Sequence, residues 1–190
     1  MKNKNKIWIW LTIVILVILG AIGGKRYMDM KAQEKDYQDG ITIIQNYVSD
    51  YLVKNYEGIE KIEWQGIGVE YRNSPTHGAS LFGNYVDTDV KVFVTEDKYF
   101  PMNFTLNYNT EYDNSLMKYV KLDYLNPENI DELLQIEIGN TIYANSGNND
   151  IKKIKVTEDE KRMFEKIKKG ILSSKKTKVV YNLQLHELKY

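Results

Sequence analysis

Two histidines, a pair of aspartates two residues apart and a dense set of tyrosines are the side chains here that could do chemistry. His77 stands in the run Ser74-Pro75-Thr76-His77-Gly78-Ala79-Ser80. With Ser74 or Ser80 as nucleophile and Asp87 or Asp89 as the orienting acid, it would complete a hydrolase triad. Neither serine sits in the strand-turn-helix elbow that exposes the nucleophile of G-x-S-x-G enzymes. An ordinary polar turn accounts for the same residues.

Asp87 and Asp89 project from one face of an extended chain and could offer hard oxygens to a divalent cation. A cage of about six oxygens is needed, and the flanking residues do not supply them. The run Asn145-Ser146-Gly147-Asn148-Asn149-Asp150 is rich in oxygen but carries one carboxylate, which suits turn chemistry better. His186 falls on the polar side of a late strand beside Glu187, and two histidines without H-E-x-x-H spacing do not make a zinc centre. Gly66-Ile67-Gly68 lies inside a strand pattern and reads as a bulge, not a phosphate loop. With no cysteine there is no thiol chemistry and no lipobox. No cofactor or metal is expected.

Tyrosine is the one excess. All 15 tyrosines lie from Tyr27 onward, with a single tryptophan, Trp64, for company. Tyrosine combines large contact area with little rotamer entropy, so it is favoured where proteins meet. It is also a good strand former, which explains part of the excess. The expected binding residues are Tyr71, Tyr85, Asp87, Asp89, Tyr99 and Tyr108.

These residues need a frame. From Ile41 the apolar positions Ile44, Val48 and Leu52 follow helical spacing, and Gly58 follows their end. The period then becomes two: Ile62 with Trp64, Ile67 with Val69, Val90 to Val94, and Phe100 to Tyr108. Glu96-Asp97-Lys98 turns a hairpin between the last two, and residues 72–84 form a loop. Leu116 to Tyr124 offers a further strand. Asn126-Pro127 caps a helix whose apolar side is Ile130, Leu134, Ile138 and Ile142. Thr157-Glu158-Asp159-Glu160 is a capping box before Phe164, Ile167 and Ile171, and Val179 to Leu188 closes with a strand. The expectation is an α+β domain, an antiparallel sheet with helices packed on one face.

The first 26 residues hold Lys2, Lys4, Lys6, Lys25 and Arg26 and no acid, which leaves 21 basic against 26 acidic side chains beyond them. An acidic domain argues against nucleic acid as a partner. Residues 7–24 are uncharged, and about 18 helical residues just span a bilayer core. The expected layout is a cytoplasmic tail over 1–6, a transmembrane helix over 7–24, a stalk over 25–40 and an extracytoplasmic domain over 41–190. A cleaved signal peptide with Ala21 and Gly23 at the cleavage site is the competing reading. Gly20 and Gly24 form a G-x-x-x-G pair, so a third reading is a structural subunit of a membrane complex.

From Ile59 to Asn107 the order is Ile-x-x-Ile, Gly66-Ile67-Gly68-Val69, Asn73-Ser74-Pro75 with Gly78, Gly83-Asn84-Tyr85-Val86-Asp87, then Phe104-Thr105-Leu106. This resembles small membrane-anchored proteins and lipoproteins of unknown function from low-GC Gram-positive bacteria. It departs from them where Thr76-His77 replaces a methionine. The resemblance implies location and size. The anchor, the acidic tyrosine-rich sheet and the lack of a catalytic motif lead to the expectation of a non-enzymatic module that binds a protein partner while its anchor sits in the lipid bilayer. Exported immunity proteins of similar layout are an analogy for it. A wall- or lipid-active hydrolase using His77 is the alternative.

Overall fold

The structure, a computed structural model, describes residues 2–72, 83–143, 157–170 and 177–188. His77, Ser74, Ser80 and the 145–150 loop lie outside the described residues, so the triad expectation meets no geometry here. In chain order the elements are α1 (Lys2–Asn55), β1 (Tyr56–Glu57), β2 (Lys61–Trp64), β3 (Ile67–Glu70), β4 (Tyr85–Phe93) and β5 (Tyr99–Thr105). Then come α2 (Leu106–Asn109), β6 (Thr110–Asp113), β7 (Lys118–Lys121), α3 (Pro127–Tyr143), α4 (Glu158–Phe164), β8 (Lys168–Lys169), β9 (Lys178–Val180) and β10 (Leu185–Glu187). Residues 1–36 and 37–190 make two separate compact units, and α1 contributes to both.

The first unit is helical. Among the described residues no helix is long and apolar enough to cross a membrane. The side chains of residues 7–12, 15 and 17–23 are outside that set, and what is described of α1 gives a membrane span no support.

The second unit is α+β, with one correction to the expected sheet: it is mixed, not wholly antiparallel. β4 is its long central strand. On one side it pairs antiparallel with β2 and then β3, and on the other with β5, Asp89 facing Asn103. β9 and β10 pair parallel to β2 and β3. The expected final strand is therefore two short pieces either side of residues 181–184. Parallel entry follows from the long return through α3 and α4, since parallel neighbours need a crossover.

The break has a partner across the sheet. Gly66 separates β2 from β3 with φ of 105°. Its carbonyl accepts the Thr88 hydroxyl at 2.7 Å, and the next residue's N–H reaches the Gln184 carbonyl at 2.9 Å. Side chains of α1 brace the gap: Gln38 and Gln45 donate to the carbonyls of Leu183 and Asn182 at 3.1 and 2.7 Å. A β-carbon on Gly66 would stand 2.7 Å from the Gln184 oxygen, in a conformation L-residues avoid. Gly66→Ala is expected to cost about 2 kcal/mol. Urea unfolding measures it, and a loss under about 0.5 kcal/mol would show that the break tolerates a side chain.

One face of the sheet carries the core. Ile62, Trp64, Ile67, Val69, Val86, Val90, Val92, Phe100, Met102 and Phe104 are buried with Ile41, Ile44, Val48 and Leu52 of α1. Ile130, Leu134, Ile138 and Ile142 of α3 and Phe164 of α4 complete it. Asn126 caps α3 as expected, accepting the Asn129 N–H at 2.9 Å. Two other expectations are corrected. β5 stops at Thr105, not Tyr108, because the Asn109 amide donates to the Thr105 carbonyl at 2.7 Å and turns the chain into α2. α4 ends at Phe164, and Lys168-Lys169 pair with β1 in place of further helix.

Candidate functional site

On the second sheet face Asp89, Tyr99, Pro101 and Asn103 are exposed, and alternation dictates what it shows. β4 presents Tyr85, Asp87, Asp89 and Lys91 there, since Val86, Thr88, Val90 and Val92 are buried, and Phe93 at its end is buried too. β5 presents Tyr99, Pro101, Asn103 and Thr105, and β2 presents Lys61 and Glu63. Across the strands these fall into rows, of which Glu63–Lys91–Pro101 and Gly68–Asp87–Thr105 are two.

One end of the face is aromatic and cationic. Phe93 and Tyr99 pack at 5.1 Å between centroids. The Lys61 ammonium stands 3.9 Å from the Phe93 ring centre and that of Lys91 5.0 Å from Tyr99. At the other end the Arg72 guanidinium pairs with Glu70 at 2.9 Å and lies 5.3 Å from the Tyr85 ring. Tyr99 is exposed, whereas Phe93 is buried beneath the Lys61 ammonium and the Tyr99 ring.

Between the ends sit the two aspartates. The Asn103 amide donates to Asp87 at 3.1 Å and to Asp89 at 2.9 Å, tying both carboxylates into one acceptor cluster. Burial raises the Asp87 pKa above the ordinary aspartate range. The Asn103 hydrogen bond opposes that shift, the negative Asp89 adds to it and His186 opposes it. His186 comes close because it pairs with Gly68, which in turn pairs with Asp87. A β-carbon on Gly68 would collide with Asp87 Oδ1, so the glycine makes room for the carboxylate across β3. The row His186–Gly68–Asp87 thus sets an imidazole and a carboxylate on either side of a glycine that Asp87 and Leu188 cover. Among the described residues no three histidines or carboxylates could hold a metal ion.

Of the residues picked from sequence, Tyr85, Asp87, Asp89 and Tyr99 share this face. Tyr71 is exposed just beyond β3. Tyr108 stands apart on α2, packed on Tyr124 at 6.2 Å. Both tyrosines rim a groove of about 230 Å³ between β5 and the start of α3, with Phe104, Leu125 and Leu133 in its wall and Asn103 at its edge. Sequence reasoning missed Asn103 and Phe93. A register drawn through the Glu96-Asp97-Lys98 turn pairs Asp89 with Asn103, so that signal was present.

A second polar cluster is structural. Asp131 of α3 accepts the hydroxyls of Tyr51 and Tyr56 at 2.6 Å each and pairs with Lys169 of β8. Burial pushes Tyr51 and Tyr56 up, helped by the hydrogen bonds to Asp131. For Asp131 burial acts upward, but the Lys169 and tyrosine bonds together hold it below the ordinary range.

Compared with protein-family models, with curated proteins and with solved structures, the chain matches none.

Proposed function

We propose that the chain is a membrane-anchored, extracytoplasmic, non-enzymatic module that docks a protein partner on the open sheet face, in the manner of an immunity or accessory protein. The observation that carries the reading is the face itself. Asp87 and Asp89, fixed by one amide, lie between two aromatic-cationic ends. Rigid aromatic anchors around a charged centre are the composition of a protein interface, with affinity from the rings and register from the charges. The uncharged stretch over 7–24, preceded by three lysines, supports a bilayer anchor with its tail inside and the acidic domain outside.

The test is crosslinking of intact cells with a reagent that does not cross membranes, followed by recovery through a C-terminal tag. The expected result is a crosslinked protein partner that disappears with Asp87→Lys/Asp89→Lys at unchanged surface level. A tag that is reached only after lysis would overturn the location. A recovered set indifferent to the charge reversal would overturn the docking face.

A further inference from the structure

The geometry points to a specific use of the β5 edge: we propose that it takes an extended peptide as an added strand, with basic and apolar side chains in alternation. This rests on the binding reading above and narrows its partner to a peptide segment of stated chemistry.

The main-chain argument comes from register. The Gln65 N–H donates to the Asp89 carbonyl at 2.9 Å, opposite it in the β2–β4 pairing. In an antiparallel ladder alternate residues turn both backbone groups to the same neighbour. Asp87, Asp89 and Lys91 therefore face β2 and β3, whereas Thr88, Val90 and Val92 bond to β5. Their opposites are Phe104, Met102 and Phe100. Tyr99, Pro101, Asn103 and Thr105 turn their backbone groups outward. Pro101 fits that parity, since a proline there breaks no ladder bond. Among the described residues β5 pairs with β4 alone. The Thr105 carbonyl is taken by the Asn109 amide, so the Asn103 N–H and carbonyl are the central pair on offer.

The side-chain argument fixes the occupant. A strand laid along Asn103 alternates its residues above and below the sheet. Below, next to Phe104, lies the 230 Å³ groove with Leu125 and Leu133 in its wall and Tyr108 and Tyr124 at its mouth. An apolar side chain fits there. Above, the next residue lies over Asn103, beyond which are the two carboxylates that Asn103 holds. β4 is two strand spacings away, roughly 10 Å, a gap that a lysine or arginine stem and the aspartates close between them. The excess of 26 acids over 21 bases beyond residue 26 favours the same cationic ligand and disfavours an acidic one. A second copy of this chain would bring its own Asp87 and Asp89 to the edge, so self-pairing is disfavoured.

The experiment is fluorescence anisotropy on the full chain in zwitterionic nanodiscs, with empty discs as reference. The probes are a labelled nonapeptide of alternating Lys and Leu, its Glu-Leu counterpart, and the Lys-Leu peptide N-methylated at alternate residues. Asn103→Ala removes the amide side chain, and Asn103→Pro removes the outward N–H as well without costing a ladder bond. The expected result is binding of the Lys-Leu probe only, about tenfold weaker for Asn103→Pro than for Asn103→Ala, as for one lost main-chain hydrogen bond. Asp87→Asn/Asp89→Asn is expected to weaken binding and flatten its salt dependence. Equal affinity of the two Asn103 variants, or of the plain and methylated peptides, overturns strand addition. The methylated probe answers the question even if Asn103→Pro does not fold. Self-association that Asn103→Pro abolishes would assign the edge to a second copy and overturn the peptide. A cellular partner lost on charge reversal but kept by Asn103→Pro would leave the docking face standing and remove only the edge, whereas indifference to both removes both.

Discussion

Trp64→Ala is expected to lower the stability of the domain by about 4 kcal/mol, most of what a small domain has. The indole is 1% exposed, its ring centre lies 5.9 Å from that of Phe104, and its N–H donates to the Ser49 hydroxyl at 2.9 Å. Truncation removes the apolar contact, leaves a cavity that neighbouring strands cannot close, and strips a fully buried hydroxyl of its donor. Trp64→Phe separates these effects: it keeps most of the volume and loses the hydrogen bond, at a cost of about 1–2 kcal/mol. Urea denaturation followed by fluorescence or circular dichroism gives both values. A Trp64→Ala loss below about 2 kcal/mol would mean that α1 and the sheet do not meet as described.

Asp131→Ala follows, at about 3 kcal/mol. Two phenol hydroxyls donate to this carboxylate, and a hydrogen bond to a charged acceptor is worth roughly 1.5–3 kcal/mol. The Lys169 pair adds little, because the lysine side chain is 59% exposed and screened by water. The pH profile carries a sharper signature. The Asp131 pKa is depressed on folding, so its contribution is full above the ordinary carboxylate range and is lost as pH falls through the folded value. The Tyr51 and Tyr56 pKa values are raised, so their contribution is full below an unfolded value of about 10 and is lost as pH climbs toward the folded ones. The stability gap between the parent and Asp131→Ala is expected to be flat from about pH 5 to 9 and to narrow on either side. A gap that stays constant down to about pH 2 would place the tyrosine hydroxyls elsewhere.

Much of this fold can be read from period and punctuation. The buried stripe Ile41, Ile44, Val48 and Leu52, the hairpin around Glu96-Asp97-Lys98 and the Asn126 cap are local features, each written within a few residues. What could not be read is non-local. Nothing in Val179 to Leu188 says that it runs parallel to β2 and β3, because strand alternation is the same in either direction. Lys168-Lys169 carries no strand signal, and its pairing with Tyr56-Glu57 arises only once α4 stops short. The candidate face divides the same way. Asp87 and Asp89 are adjacent by alternation, whereas the Asn103 bridge needs a register and the nearness of His186 needs the whole topology.

The parallel outer strand also sets an order of events. Thr177, at the head of β9, reaches back 118 residues to the Ile59 carbonyl. A chain that emerges N-terminus first, from a ribosome or through a secretion channel, must therefore deliver almost the whole domain before β2 and β3 acquire their outer neighbour. Until then that flank of the sheet lies bare and Gln38 and Gln45 have no carbonyls to brace. Pairings so distant along the chain close slowly. Under the extracytoplasmic location proposed above, this delay would be useful: a domain threaded unfolded would stay pliable and would lock only once β9 and β10 had followed.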